Sequence, residues 1–301
     1  MPHDTHVIDG INKDLPFEWS TRQTAKDYYL DLAKDWEDPY GDAIVKTHDG
    51  VRVVRDDLLT SGSKVRGGDC LISSLPKDSG IDTIVYVQPR TGLAGISILN
   101  VAKRHGLKTK LFMPSSKRIS YHQACCIEQG ADVEFHRIAA MPNLNKIAKE
   151  WAEEHPNAFF IPLGLKRPMV TAGIVKAASK IPEPEEVYVA TSTGVLSRAL
   201  QIAWPNAAFT SVCVSRNMKA GELGRATVIS EPRGFTSRET PENMPPFDTI
   251  DTYDGKVWKF IPKNTGRDIL MWNVGRQPVL DDDSIYDRTV SYRDWKKNEK
   301  T

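Results

Sequence analysis

The sequence predicts an α/β fold with parallel-rich sheets. Three observations lead to this class: β-branched runs alternate with helix-like segments from about residue 80 onward, glycines follow several of the helices, and 301 residues suffice for one large or two modest domains. Because a strand, a helix and a second strand at this rhythm return the chain in the same direction, the pattern is typical of parallel sheets with helices on both faces.

The elements are predicted in order from their apolar periodicity. After a β-type run at 51–54, buried strands are expected at 83–87, 110–113, 132–135, 187–190 and 210–214. Helices are expected between them at 94–105, 120–129, 143–154, 168–180 and 195–203. Gly106 and Gly130 stand where a glycine typically ends a helix.

The two ends of the chain and one internal stretch differ from this rhythm. Residues 21–36 form an amphipathic, charge-rich helix candidate, and 228–265, rich in Pro, Thr and charge, are predicted to be a long loop with short strands. Residues 281–301 are expected to be a surface extension or tail. Their three consecutive aspartates are predicted to be solvated, so no metal site is expected.

Composition excludes several classes of partner. Forty basic and 39 acidic residues give a formal net charge of +1, which provides no electrostatic case for nucleic acid or an anionic membrane. The four cysteines lack a Cys-x-x-Cys pair, so they are predicted to be buried thiols in a reducing cytoplasm. No run approaches the roughly 18 apolar residues of a membrane span. We therefore expect a soluble, cytoplasmic protein whose partner is a small molecule.

Lys64 is the candidate catalytic residue. It follows a Ser-Gly-Ser turn and begins a predicted helix. Lysine forms Schiff bases with carbonyl cofactors when its amine loses its proton near neutral pH, through desolvation or a neighbouring cation. Arg55 and Arg66 are predicted to be such neighbours. The alternative is a solvated surface lysine, which is the commoner case for an isolated lysine.

Two segments carry a family resemblance. Residues 53–66, Val-Val-Arg-Asp-Asp-Leu-Leu-Thr-Ser-Gly-Ser-Lys-Val-Arg, resemble the lysine segment of the pyridoxal-phosphate enzymes related to D-cysteine desulfhydrase and aminocyclopropane-carboxylate deaminase. Residues 87–136, with Thr-Gly-Leu-Ala, Met-Pro-Ser-Ser and Gly-Ala-Asp-Val, are similar to cysteine synthases. Over roughly residues 50–280 the chain thus resembles the tryptophan synthase β-like superfamily of fold type II.

The resemblance implies a two-domain, three-layer α/β fold with the cofactor between the domains. We expect an N-terminal helical extension over 1–50, a large cofactor-binding domain from 51–88 and 181–280, a small substrate-loop domain over 89–180, and the tail over 281–301. It also implies a homodimer, for which the 21–36 helix could supply the contact.

The resemblance further implies residues for each part of pyridoxal 5'-phosphate. Lys64 matches the lysine that holds the cofactor. The phosphate cradle is predicted from a loop that follows an apolar strand and opens a helix, namely Thr191, Ser192, Thr193 and Gly194. This loop keeps one glycine where the family usually has two or three. The alternative is a simple Thr/Ser helix cap.

Asn273 is the predicted neutral partner of the cofactor's ring nitrogen, with Val274 as the alternative position. A neutral partner leaves the pyridine largely unprotonated, which suits elimination or replacement at the β-carbon. In the substrate loop, Thr91 and Gly92 match the carboxylate-binding pattern, and Arg90 stands where that pattern has asparagine. Arg90 is predicted either to bind a substrate carboxylate with its guanidinium fork or to be an exposed loop residue.

The function implied is a pyridoxal-phosphate-dependent lyase or deaminase acting on a small amino acid. Lys64 forms the Schiff base and then abstracts the α-proton, after which a leaving group departs from the β-carbon. One alternative is a β-replacement synthase similar to cysteine synthase. The other is a non-catalytic descendant that acts as a binding protein.

Overall fold

The computed structural model describes residues 22–116, 118–137, 140–215 and 223–281. Within these ranges the chain forms two compact units, each with its own sheet. The first unit comprises the described residues up to Ser74 and from Lys166 to Gln277. The second comprises those from Leu75 to Leu165 and from Pro278 onward. Most of the predicted tail, and the first 21 residues, lie outside the described residues.

Strands and helices alternate through most of the described chain. The strands are β1 (Val45–His48), β2 (Val51–Arg55), β3 (Thr83–Val87), β4 (Lys108–Pro114), β5 (Asp132–His136), β6 (Ala158–Phe160), β7 (Glu186–Thr191), β8 (Ala208–Cys213), β9 (Thr227–Ser230) and β10 (Ile269–Asn273). The helices are α1 (Arg22–Leu32), α2 (Lys64–Ser73), α3 (Ala94–Arg104), α4 (Tyr121–Glu128), α5 (Met141–Glu153), α6 (Pro168–Ser179) and α7 (Val195–Ala203).

The sheet of the first unit has six strands in the order β1-β2-β10-β7-β8-β9. Only the β1–β2 pair is antiparallel among the pairs in this sheet, and β2, β10, β7, β8 and β9 run parallel to one another. The carboxyl ends of parallel strands lie at one edge, so the loops that follow β2, β7, β8 and β10 all leave the sheet there. That edge is where open α/β sheets bind ligands.

Apolar side chains cover this sheet. Val51, Val53 and Met271, which alternate along their strands, pack with Val257 and Trp258. Helices α1, α2, α6 and α7 pack against one another in the same unit. Burial of the apolar side chains fixes the register of the strands and, with it, the positions of the loops that follow them.

The sheet of the second unit has four parallel strands in the order β5-β4-β3-β6. Helix α5 packs on β3, β4 and β6, and α3 packs on β3 and β4. The core joins the strand residues Val85, Val87 and Phe112 to Leu144 and Ala148 of α5. The predicted α/β class with parallel-rich sheets is therefore confirmed in both units.

The division between the units differs from the predicted boundaries at 88/89 and 180/181. Strand β3 belongs to the second unit because its partners are β4 and β6. Helix α6 belongs to the first unit because it packs closely on α2. A Cβ on Gly67 would lie 2.6 Å from Cγ1 of Val170, and one on Gly173 would lie 2.7 Å from Cβ of Cys70. The two glycines allow the backbones of these helices to approach.

The predicted 21–36 helix is α1, and its apolar residues are used inside the first unit. Ala25, Tyr29 and Trp36 are buried. The indole N–H of Trp36 donates to the Asp69 carboxylate at 2.9 Å, and the Lys176 amine donates to backbone carbonyls at the end of the helix. The suggestion that this helix supplies a dimer contact therefore gains no support.

The structure also bears on two predictions from composition, the state of the cysteines and the membrane-spanning segments. All four cysteines are free and buried. Among the described residues, no helix has the length and the apolar character needed to cross a membrane.

Candidate active site

Lys64 is the first residue of α2, directly after the turn that leaves β2. Gly62 in this turn has φ of +75°, a conformation that favours glycine. The Ser63 N–H donates to the Val274 carbonyl at 2.8 Å, which ties the turn to the end of the neighbouring strand β10. The position of Lys64 is therefore set by two adjacent strands of the sheet.

The Lys64 amine lies in a desolvated setting. The side chain is half-buried, and burial lowers the pKa of the amine, while the negative charge of Asp254 opposes that shift. A lowered pKa means that more of the amine is neutral near pH 7 than for an exposed lysine. The solvated-lysine alternative therefore does not hold for Lys64.

Arg55 and Arg66 are not the cause of this shift, which corrects the prediction. Arg55 makes a two-pronged ion pair with Asp57, with N···O distances of 2.8 and 2.7 Å. Arg66 is buried and pairs with Asp56 at 3.1 Å and with Asp38. The charges of both guanidinium groups are balanced by these carboxylates. The lowered pKa of Lys64 is caused by desolvation.

Asp254 is the important residue that the sequence reasoning missed. It begins a 3₁₀ turn, Asp254–Lys256, and is fully buried. Its Oδ2 accepts a hydrogen bond from the Val274 N–H at 3.1 Å, whereas its Oδ1 has no hydrogen-bond partner. Burial raises the pKa of this carboxyl well above its usual value, and the Val274 N–H and Lys64 oppose the rise. An unpartnered buried carboxylate oxygen is costly and marks a candidate functional group.

The Thr191–Gly194 loop joins β7 to α7, as predicted for a phosphate cradle. Gly194 is the N-cap of α7 with φ of +80°, a conformation that favours glycine, and a Cβ there would lie 2.8 Å from Cδ2 of Leu223. No side-chain hydrogen bond caps the helix. The alternative of a simple Thr/Ser cap therefore does not apply, and the first backbone N–H groups of α7 are not capped by a hydroxyl.

The three hydroxyls of the loop differ in burial and in hydrogen bonding. The Oγ1 of Thr191 is buried and has no hydrogen-bond partner. The Ser192 hydroxyl accepts a hydrogen bond from the Ser215 hydroxyl at 2.9 Å, and Thr193 is half-buried. Thr191 is therefore the loop hydroxyl most in need of a partner.

Tyr253 and Asp254 connect the loop to the lysine. The Tyr253 hydroxyl donates to the Ala190 carbonyl, at the end of β7, at 3.4 Å. Burial raises the pKa of this hydroxyl, so it stays protonated at neutral pH. The next residue, Asp254, interacts electrostatically with Lys64. The structure thus brings Lys64 and the loop to the same edge of one sheet.

Asn273 lies at the end of β10 but is fully engaged with the protein. Its amide nitrogen donates to Asp57 and to the Asp248 carbonyl, both at 2.8 Å. Its oxygen accepts from the Thr249 hydroxyl at 2.9 Å. These bonds use the donors and the acceptor of the side chain, so its contacts do not favour the predicted role at the ring nitrogen. Val274 contributes only its backbone, to Ser63 and Asp254.

The predicted substrate residues Arg90, Thr91 and Gly92 lie in the second unit, between β3 and α3. Arg90 is exposed and the other two are half-buried. The loop is ordered by Gln88, a buried residue that the sequence reasoning missed: its amide donates to the Gly92 carbonyl at 3.0 Å and accepts from the Gly95 N–H at 2.7 Å.

Comparisons with known proteins give the fold its context. No protein-family model matches the chain, and no curated protein does. Among solved structures, the chain is similar to an ACC deaminase homologue, with 18% identity, a TM-score of 0.66, and 82% of this chain and 94% of that chain covered. It is also similar to the processed form of threonine deaminase isoform 2 from Solanum lycopersicum, with 14% identity, a TM-score of 0.60, and 88% of this chain and 92% of that chain covered.

A third similar structure is a pyridoxal 5'-phosphate-dependent aspartate racemase, with 14% identity, a TM-score of 0.59, and 84% of this chain and 94% of that chain covered. At such identities the likeness shows the fold. The chain has the fold of these three proteins, and the predicted α/β architecture with parallel-rich sheets is confirmed.

Proposed function

We propose that the protein is a pyridoxal 5'-phosphate-dependent lyase or deaminase that acts on a small amino acid. The observation that carries this proposal is Lys64: a lysine at the ligand-binding edge of the sheet, with a pKa lowered by burial and a buried carboxyl beside it. An amine attacks an aldehyde only when it is unprotonated, and desolvation favours that form. The similarity to an ACC deaminase homologue, a threonine deaminase and a pyridoxal-phosphate-dependent aspartate racemase agrees with it.

The residues of the first unit fit the cofactor. Lys64 offers the amine for the aldehyde. The Thr191–Gly194 loop offers a glycine at positive φ, an unpartnered hydroxyl and the N-terminus of α7 for the phosphate. For the ring nitrogen we assign Asp254 rather than Asn273, because Oδ1 of Asp254 lacks a partner while the Asn273 amide is fully bonded.

Each residue then has a defined task. The bound cofactor supplies an electrophilic aldehyde and an electron-accepting ring. Lys64 would hold the cofactor through its Nζ, and as a free amine it would take the α-proton of the substrate. The Asp254 carboxyl would share a proton with the ring nitrogen, because its raised pKa makes its carboxylate form a stronger proton acceptor than an exposed aspartate.

Arg90, Thr91 and Gly92 are the residues that we propose for the substrate carboxylate. Gln88 fixes the backbone of this loop, and the exposed guanidinium of Arg90 is available for a two-pronged interaction with a carboxylate. A cytoplasmic location and a homodimeric state stay predictions.

Asp254 also favours a second candidate function, amino-acid racemisation. A carboxylate partner keeps a pyridine nitrogen protonated, and a protonated ring accepts more of the charge that develops on the substrate. This electronic state serves racemisation as well as elimination. The similarity to an aspartate racemase is consistent with it.

The first experiment asks whether Lys64 binds the cofactor. Purified protein is incubated with pyridoxal phosphate, reduced with borohydride, and mapped by peptide mass spectrometry. We expect one dominant modified residue, Lys64, and loss of the label and of the yellow colour in Lys64→Ala. The matched control is Lys108→Ala, which removes a largely exposed amine. Labelling that persists in Lys64→Ala would contradict the proposal.

A second experiment separates the reactions. The loaded protein is incubated with each enantiomer of serine, cysteine and aspartate, and keto acid, ammonia and enantiomeric composition are measured. Keto acid with ammonia indicates a lyase or deaminase, and conversion between enantiomers without keto acid indicates a racemase. A product that forms only with an added thiol would indicate β-replacement.

A further inference from the structure

The phosphate loop has an unusual composition for its proposed task. Backbone N–H groups surround a phosphate most readily where small residues let the chain curl around it. Here Gly194 is followed by Val195, which is buried, and by Leu196. A phosphate dianion at this loop therefore needs attraction from another group.

Arg198 places a cation at this loop. Its backbone N–H donates to the Gly194 carbonyl at 3.0 Å, one helical turn away, and only 7% of the residue is exposed. A Cβ built on Gly194 would lie 3.8 Å from both Cζ and Nε of Arg198. The guanidinium thus lies against Gly194 itself.

Electrostatics favour an anion at this position. The N-terminus of a helix carries partial positive charge, so a buried guanidinium in the first turns of α7 adds like charge to it. An anion bound at Gly194 is attracted by both groups. Phosphate oxygens also match the planar fork of a guanidinium.

An independent observation points to a ligand at the same loop. The hydroxyl of Thr191, at the start of the loop, is buried and has no hydrogen-bond partner. A phosphate group accepts hydrogen bonds from a hydroxyl, a guanidinium and backbone N–H groups together. The loop offers all three kinds of donor.

We propose that Arg198 binds the phosphate of the cofactor. Its guanidinium supplies the attraction that the backbone N–H groups provide in a glycine-rich loop. The inference rests on the proposed function, because it concerns the same cofactor. Arg198 makes the site selective for the phosphorylated cofactor over pyridoxal. It takes no part in the chemistry at Lys64.

The test compares pyridoxal phosphate with pyridoxal, which has the same aldehyde and ring but no phosphate. Affinities of both are measured by borohydride capture at Lys64 in wild type, Arg198→Gln and Arg198→Lys. We expect Arg198→Gln to weaken capture of pyridoxal phosphate by about 10- to 100-fold, the effect of losing a charged hydrogen bond, and to leave capture of pyridoxal nearly unchanged. Arg198→Lys retains the charge and should lose less.

Controls separate this role from a structural one. Arg238→Gln removes an exposed guanidinium of the same unit and should change neither affinity. Inorganic phosphate should compete with pyridoxal phosphate in wild type and much less in Arg198→Gln. Should Arg198→Gln fail to fold, the wild-type preference and Arg198→Lys carry the test, and equal wild-type affinity for the two compounds overturns the inference.

The remaining outcomes are also decisive. Equal weakening of both compounds in Arg198→Gln assigns the residue a structural role and overturns the inference, while Lys64 remains the cofactor lysine. If wild type captures neither compound at Lys64, the proposed function falls, and the role of Arg198 falls with it.

Discussion

At the scale of single residues, Lys64 and Asp254 show what the sequence can and cannot reveal. The sequence indicates Lys64 because its neighbours along the chain, a β-type run and a glycine turn, form a local pattern. Asp254 lies far along the chain in a segment predicted to be a long loop, and no local pattern marks it. Its role depends on burial and on the Val274 backbone, which only folding brings together.

The role of Arg55 and Arg66 could not be predicted for a related reason. Like charges close together in a sequence suggest mutual repulsion, but the fold determines which carboxylates form ion pairs with them. Arg66 meets Asp38 and Asp56, so its charge is balanced. The cause of the lowered Lys64 pKa is therefore burial, which a sequence does not state.

Replacing Asp254 by Asn should make Lys64 more reactive at lower pH. Burial lowers the Lys64 pKa and the Asp254 charge raises it, so removing the charge lowers the pKa further. The pH profile of Lys64 acetylation by acetic anhydride, read by mass spectrometry, measures this. Asp248→Asn, at an exposed carboxyl, is the control and should leave the profile in place. A shift to higher pH in Asp254→Asn would refute the expectation.

The same variant should change the pH dependence of stability. Burial raises the Asp254 pKa in the folded state, so the folded protein binds this proton more tightly than the unfolded chain. Its contribution to the unfolding free energy is present below the unfolded pKa, about 4, and is lost as pH rises toward the folded pKa. Urea unfolding measured between about pH 4 and pH 7 should show a flatter pH dependence of the unfolding free energy in Asp254→Asn.

At the scale of elements, the predicted strands and helices match the structure best in the interior of the sheets. The sequence did not predict β1 and β6, and it placed β9 only within a stretch of loop and short strands; all three are edge strands. Each is short and at most half-buried along its length. An edge strand needs no continuous apolar run, because one side faces no partner strand. The missed elements thus lack the signal by which strands are recognised.

The contact between α2 and α6 leads to a prediction about Gly67. A Cβ at this position would lie 2.6 Å from Cγ1 of Val170 and 2.9 Å from its carbonyl oxygen, so Gly67→Ala forces the helices apart. We expect the unfolding free energy to fall by about 1–3 kcal/mol, as for overpacked cores. Because α2 begins with Lys64, capture of pyridoxal phosphate should weaken as well.

Denaturant unfolding provides the measurement for Gly67→Ala. Gly234→Ala is the matched control, because a Cβ there would meet only the Ser237 hydroxyl, at 3.6 Å. A Gly67→Ala protein as stable as wild type would show that the helices adjust without cost.

At the scale of the molecule, the residues proposed for the cofactor all belong to the first unit. Addition of pyridoxal phosphate should therefore slow amide hydrogen exchange at 62–66, 191–198 and 253–256. At a hundredfold excess over its Kd, a ligand stabilises the folded state by about 2.7 kcal/mol. Addition of an amino-acid substrate should then slow exchange at 90–95. Protection that appears only outside these four segments would contradict both site assignments.

Strand β10 is among the last described elements to be synthesised, yet it lies between β2 and β7, inside the first sheet. While a ribosome is still making the preceding residues, the β1–β2 hairpin has no neighbour on one side. The sheet can close only after Ile269–Asn273 has emerged from the ribosome. A chain that terminates prematurely before Ile269 therefore leaves two unjoined halves with exposed strand edges, which are substrates for chaperones and proteases.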